Sequence, residues 1–438
     1  MSPFRTLALG LLTTLVAGLP IQGQRASKAS AEPSVYTRRI RPKEPPTGLD
    51  WEARITALLK EEPGDVIVTA VGDMIFNEKI THLQEPERRG IFRIMQEADI
   101  AYGNLEFSIN DRPELQRPFY NFRAGKDFAW ELARTGINLV SMANNHALDF
   151  GPEGLKECLR NLDLTNIDHA GAGNTLAEAH ALCTKEVQGQ KTKFGLLSYM
   201  RYWSARYRSK DPGAPSLATI NPAVILVARE GKVEAVEGPL ESDVKTMEDD
   251  ILLARRRTDV LMVALHNHDV THNRTYGIQD KTPPNDEIMF HRAIDGGADL
   301  VLGTGPHVLR GIEMYKGKPI FYSLSDFIYQ YRTPDRIPVD LIHQRDLEMP
   351  RPTNVSVWDR RDSREVMEGL LVRMTFNQDK LRKIQLIPIA IDDEGPLYGV
   401  PRLVSDARAK ATLKLIQRLS TPYGTKIVDK GWYGEIVP

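Results

Sequence analysis

Thiols, surplus charge and long apolar runs are all scarce in this 438-residue chain. Its two cysteines, Cys158 and Cys183, do not make a close metal-ligand pair, which argues against a structural thiolate site. Cys158 shares a helical face with Leu155, Leu159 and Leu162, so packing accounts for it, and a disulfide to Cys183 stays open. A formal net charge of −1 leaves no basic excess, which excludes nucleic acid as an expected partner. Beyond the amino terminus no stretch is long and apolar enough to cross a bilayer, and there is no internal repeat or low-complexity tract. A chain of this length can bury one large core with a small appendage.

The amino terminus carries Arg5, an apolar segment from about Leu7 to Ile21, and small residues at Gly23 and Ala29-Ser30-Ala31. That pattern predicts a secretory signal over 1–31, and with it an exported protein that is extracellular, periplasmic or attached to the cell surface. An uncleaved anchor is the alternative, weakened by Gly, Pro and Thr within the segment. Residues 32–48 are rich in Pro, Arg and Ser, a linker composition. A folded domain is expected over 49–400, interrupted by a polar, Pro-rich insertion at about 333–364, and a C-terminal helix and tail over 401–438.

Within the domain, strand-like runs alternate with helical ones. Val66 to Val71 precedes a helix over Pro86 to Ala98, Ile100 to Asn104 precedes Asp127 to Thr135, and Leu139 to Met142 precedes Pro152 to Leu162. Strands at Phe194 to Tyr199 and Val260 to Leu265 alternate with helices at Ser242 to Arg256 and Asp286 to Asp295. Another strand follows at Pro319 to Leu324. Gly369 to Phe376 and Leu381 to Ile391 form a hairpin, and Ser405 to Leu419 a final helix. This alternation predicts an α/β fold with a sizeable sheet.

Five runs end in residues that bind metals or move protons: Val66-Ile-Val-Thr-Ala-Val-Gly-Asp73, Ile100-Ala-Tyr-Gly-Asn-Leu-Glu106, Leu139-Val-Ser-Met-Ala-Asn-Asn-His146, Val260-Leu-Met-Val-Ala-Leu-His-Asn-His268 and Leu300-Val-Leu-Gly-Thr-Gly-Pro-His307. A lone Asp or His after a strand is most often a cap or turn residue. Five such tips in an open α/β frame point to one rim, because ligand sites lie beyond the carboxyl ends of the strands. Oxygen and imidazole donors suit Mn, Fe, Zn or Mg.

The ordered set Gly72-Asp73-Met74, Asn104-Leu-Glu106, Ala143-Asn-Asn-His-Ala-Leu-Asp-Phe-Gly151, Gly171-Ala-Gly-Asn174, His266, Asp295-Gly-Gly-Ala-Asp299, Pro306-His-Val308, Gly311-Ile-Glu313 and Tyr322-Ser-Leu324 resembles the CapA family of poly-γ-glutamate capsule biosynthesis proteins. The resemblance implies the four-layer αββα sandwich of calcineurin-like metallophosphoesterases and two divalent metal ions. It assigns Asp73 and His307 to the first ion, Glu106 to a bridging position, and Asn145 and His266 to the second. His146 is then left to bind an oxyanion or protonate a leaving group. Asp149 either orients His146 or caps the helix opening at Pro152.

The chain departs from the family at three places. Gly305-Pro306-His307 stands where the family shows His-Pro-His, His266-Asn267-His268 replaces His-Trp-Gly, and Ser325-Asp-Phe327 replaces Gly-Asn-Phe. Alternate residues of a strand share a side, so His268 is a candidate to replace the missing ligand, with His272 in reserve. Arg117, Arg123, Lys126 and Arg201 are candidates for substrate carboxylates or phosphates, against the commoner reading of scattered surface charge. Gly171-Ala-Gly-Asn174 lacks the Lys and Ser or Thr of a nucleotide loop and reads as a tight turn. Asn273-Arg-Thr and Asn354-Val-Ser fit the glycosylation pattern.

Three functions remain open. The chain acts in synthesis or export of a poly-γ-glutamate-type polymer, or is a secreted metal-dependent phosphoesterase or nucleotidase, or binds polymer without turnover. The expected partners are an anionic polymer or a small phosphate or carboxylate substrate. The resemblance adds membrane-bound capsule synthesis proteins.

Overall fold

A computed structural model describes residues 48–112, 121–201, 211–229, 232–267, 281–330, 367–393 and 395–437. The expected signal, nearly all of the linker, the 333–364 insertion, Arg117, His268, His272, Asn273 and Asn354 lie outside the described residues.

Two sheets carry the fold. In the ten-stranded sheet the Asp65–Ile75 strand is flanked by Ile100–Leu105 in parallel and Glu368–Asn377 in antiparallel register. Leu139–Ser141 and Asp168–Ala170 extend the parallel side, and Lys380–Ile391 followed by Gly434–Ile436 extends the other. A short strand, Asp326–Tyr329, enters beside the carboxyl end of Asp65–Ile75 and sets Asp326 against Asp73. The seven-stranded sheet has a parallel centre of Lys193–Arg201, Val260–Asn267, Leu300–Thr304 and Lys318–Phe321.

Near-continuous apolar runs such as Val66-Ile-Val and Val260-Leu-Met-Val exist because these strands are covered on both faces. One apolar cluster joins the sheets face to face, with Val66, Val68 and Tyr102 meeting Phe194, Met262 and Leu302. A second packs the outer face of the large sheet under helices through Ile91, Met95, Leu132 and Leu155. A third packs Leu197, Val263 and Val301 against Met247, Ile251 and Phe290 of the Glu241–Arg255 and Pro284–Gly296 helices. Helix, sheet, sheet and helix are therefore the four layers that the family resemblance implied. Each fully buried aliphatic or aromatic side chain contributes about 1.5–3 kcal/mol to holding them.

The helix faces follow from spacing. Leu155, Cys158, Leu159 and Leu162 are all buried on the Gly151–Asp163 helix, and both cysteines are free thiols. The Asp406–Ser420 helix is capped by Ser405, whose Oγ accepts from the backbone N–H of Arg408. Beyond it the chain does not trail away, because Val428–Asp429 and Gly434–Ile436 close the antiparallel edge of the large sheet. These short strands and the Trp51–Leu58 helix carry little pattern, whereas the Pro222–Arg229 and Lys232–Pro239 hairpin, with its apolar Ala223-Val-Ile-Leu-Val-Ala228 run and alternating Val233 to Glu237, was legible in the sequence and missed.

Candidate metal centre

The parallel strands of both sheets point their carboxyl ends at one place. Asp73 lies within its strand, where the backbone N–H donates to the carbonyl of Ser325 over 2.9 Å. That crossing is possible only because residue 72 is glycine, since a Cβ there would sit 1.8 Å from the Ser325 oxygen. Glu106 follows the Ile100–Leu105 strand, and Asn145, His146 and Asp149 occupy the turn after Leu139–Ser141. The smaller sheet supplies His266 from its central strand and His307 from the turn after Leu300–Thr304.

Asp73, Glu106 and His307 each offer a donor atom within 4.8 Å of the others. His266 Nε2 lies 2.8 Å from Asn145 Oδ1 and 3.8 Å from Glu106 Oε1, so Glu106 faces both the His307 side and the His266 side. His307 Nε2 is likewise 3.8 Å from Glu106 Oε1, and His146 Nε2 is 4.0 Å from it. Every residue of the expected set is thus brought together except His268, which lies outside the described residues.

Glu106 is wholly buried and neither of its carboxylate oxygens has a hydrogen-bond partner. A buried carboxylate left without donors costs several kcal/mol unless a cation compensates it. Burial pushes its carboxyl well above the usual carboxylate range, and the neighbouring Asp73 adds to the shift. Burial also pushes Asp73 up to about 6, with His307 opposing. Burial alone would lower the His307 imidazole, but the carboxylates of Asp326, Glu106 and Asp73 outweigh it and push it up to about 10. Two acids and an imidazole held this way fit a divalent cation, which stabilises the charged carboxylates and the neutral ring together.

Supporting side chains aim these donors. Asn104 Nδ2 donates to Asp73 Oδ1 over 2.7 Å, while Asn104 Oδ1 accepts from Ser141 Oγ at 2.9 Å. Asn144 Nδ2 donates to the Leu105 carbonyl and its Oδ1 accepts from the His146 backbone N–H. Asp149 Oδ2 meets His146 Nδ1 at 2.7 Å and accepts from the Phe122 N–H at 2.9 Å. The Gly151–Asp163 helix has no side-chain cap, so of the two roles expected for Asp149, capping is corrected to contact with His146. The Phe122 ring lies 4.1 Å from the His146 ring, centre to centre.

Phe122 also walls a cleft of about 240 Å³ with Phe76, Phe107, Asn121, Arg123 and Gln330. Arg123 stacks on Phe150 at 4.9 Å. Arg201, by contrast, is buried against Asp286 at 3.2 Å, and Lys126 is an exposed residue near Asp111. Gly171-Ala-Gly-Asn174 bends at a Gly171 φ of +94°, where a Cβ would collide with Ser198 and Ala143, in keeping with a turn.

Residues 67–331 match the family described as Bacterial capsule synthesis protein PGA_cap. The chain belongs to that family. Among PGA_cap relatives, the Bacillus subtilis PGA biosynthesis protein CapA is 25% identical over 288 residues, covering 63% of this chain and 66% of its own. The uncharacterized protein y4sH of Sinorhizobium fredii is 27% identical over 433 residues, covering 84% of this chain and 92% of its own. A solved structure of a putative 5'-nucleotidase from Staphylococcus aureus with alpha-ketoglutarate aligns over 78% of this chain and 53% of that one. Its identity is 10% and its TM-score 0.36. Among the described residues of this PGA_cap chain, no helix is long and apolar enough to cross a membrane.

Sequence reasoning left Asn104, Asn144, Thr304 and Asp326 unassigned. Thr304 Oγ1 lies 3.0 Å from His266 Nδ1, and Asp326 Oδ1 lies 2.8 Å from His307 Nδ1. Strand alternation offered the signal for Asn104, two positions before Glu106 and therefore on its side.

Proposed function

We propose that the chain is exported and acts in making or exporting an anionic γ-glutamyl polymer, through a centre that holds two divalent ions. Asp73 and His307 would hold one ion, Asn145 and His266 the other, and Glu106 both. The observation that carries this is Glu106, wholly buried with both oxygens unpartnered between the imidazoles of His266 and His307. Membership of the capsule synthesis family and the name of the Bacillus subtilis relative support the polymer. The apolar segment at Leu7 to Ile21 supports export, to the cell surface, periplasm or medium.

Divalent ions in such a site supply Lewis acidity and activate water near neutral pH. The chain's own residues do the rest. Asn104 holds the Asp73 carboxylate in one rotamer, and the Gly305 N–H holds its other oxygen at 2.9 Å. Asp149 fixes the His146 ring through Nδ1, which leaves Nε2 facing the centre to give a proton to the departing amine or alcohol. Phe122 covers that ring and shields it from solvent.

The test is elemental analysis of the purified chain beside Asp73→Ala and His307→Ala, with γ-glutamyl amides and generic phosphodiesters offered to the same samples. Two ions in the wild type, fewer in both variants, and γ-glutamyl turnover are expected. Phosphodiester turnover alone would overturn the polymer assignment, and absence of metal after reconstitution with Mn or Zn would overturn the centre itself.

A further inference from the structure

Position 326 holds an acid, in Ser325-Asp-Phe327, where the resemblance leads one to expect the neutral amide of Gly-Asn-Phe. The exchange is costly where it happens. Asp326 is wholly buried, is paired in register with Asp73, and adds a third carboxylate beside Asp73 and Glu106. A buried charge costs several kcal/mol unless a partner compensates it, whereas asparagine has the same shape and no charge. The carboxylate therefore needs a purpose that the amide does not serve.

Geometry supplies one. Asp326 Oδ1 lies 2.8 Å from His307 Nδ1, nearer than the 3.6 Å that separates the same nitrogen from Asp73 Oδ2. Asp326 stands outside the group formed by Asp73, Glu106 and His307, and its hydrogen bond to that group is to the imidazole. With Nδ1 donating to a carboxylate, the ring's lone pair is on Nε2, which faces Glu106 Oε1 at 3.8 Å. Two donors bound to one ion at about 2.1 Å each can stand that far apart. His307 itself has a φ of +57°, a strained conformation for a side-chain-bearing residue, and the contact to Asp326 helps hold it there. A carboxylate behind a ligating imidazole makes that imidazole a stronger donor.

We infer that Asp326 is a positioning residue that locks His307 in the Nδ1–H tautomer and strengthens its donation through Nε2, offsetting the imidazole that Gly305 cannot provide. The inference rests on the metal centre proposed above and deepens it.

A double-mutant cycle on metal affinity tests it. Mn or Zn binding would be measured by calorimetry for the wild type, Asp326→Asn, His307→Ala and the double variant, with near-ultraviolet circular dichroism confirming that each is folded. Asp326→Asn should weaken binding about 10- to 100-fold. Asp326→Asn should cost nothing further once His307 is alanine, because its effect passes through that ring. Losses that add, or an Asp326→Asn affinity within twofold of wild type, would overturn the inference and leave the centre standing. A wild type that binds neither ion would overturn both. Long-range proton–nitrogen spectra of the zinc-loaded wild type, with histidine labelled by nitrogen-15, read the tautomer without any variant but His307→Ala for assignment. A proton on Nε2 of His307 would overturn the inference by itself.

Discussion

The backbone N–H of Gly305 donates to Oδ2 of Asp73 over 2.9 Å, from a residue whose φ is +106°. A side chain at 305 would force that backbone out of a region L residues rarely adopt, and the hydrogen bond would go with it. The glycine therefore permits a backbone conformation in which its N–H serves the neighbouring carboxylate.

Gly305→His restores the family pattern in letters but is expected to weaken the centre. Backbone strain of about 1–3 kcal/mol and a released Asp73 outweigh the added imidazole. Calorimetric titration with Mn should show weaker binding than wild type, and tighter binding would show that the missing ligand is what limits affinity.

Gly72→Ala should be worse, because the new methyl meets backbone rather than a movable side chain. A destabilisation of about 3 kcal/mol or more is expected from such overpacking, read as a lower midpoint in urea. An unchanged midpoint would mean that the Ser325 backbone yields easily.

Without metal, stability should fall as pH rises, through Asp73 between the ordinary carboxylate range and about 6 and through His307 between about 6.5 and about 10. Asp73 has a raised folded value near 6, so its charged form costs stability above that pH, and the cost is relieved as pH falls through 6 toward the ordinary carboxylate range. His307 is raised to about 10, so its contribution is complete below about pH 6.5, the ordinary imidazole value, and is lost as pH climbs through 10. A divalent ion needs the acid charged and the ring neutral, so its stabilisation should grow over the same interval, reaching about 2.7 kcal/mol at one hundred times its Kd. Thermal melts at pH 6, 8 and 9.5, with chelator and with Mn, read both slopes. A metal-free midpoint that rises with pH would refute the assignment.

His146→Ala should retain its metal yet lose about 10²- to 10⁴-fold in turnover, the usual worth of a positioned proton donor. Asp149→Asn, which keeps an acceptor but not the charge, should lose less and should shift the acidic or basic limb of the pH profile. Metal loss in His146→Ala would instead make that ring a ligand.

Much of the arrangement could be read from the chain because strand tips announce themselves. Val66 to Asp73, Val260 to His266 and Leu300 to His307 are apolar runs that stop at a donor, and the structure brings those donors to one rim. Asp326 escaped because its strand, Asp326–Tyr329, has only four residues and shows no alternation. Its partner in space is nineteen positions away, and no local pattern marks such a pairing. Gly305 was read as a loss because sequence shows side chains, and what this residue offers is an N–H. Asp149 was balanced between cap and contact until the distance to His146 decided it. The strands at 428–429 and 434–436 are too short for any periodicity to appear.

The Asp65–Ile75 strand is made early and completed late. One neighbour, Ile100–Leu105, follows at once, but its others, Asp326–Tyr329 and Glu368–Asn377, come from the far end of the chain. A ribosome therefore releases the strand bearing Asp73 long before two of the strands that flank it exist. Until they arrive, an apolar strand carrying an acid stands as an open edge, the kind that recruits other chains. A nascent chain stopped before residue 326 should thus aggregate or bind chaperones rather than fold as a smaller version of itself.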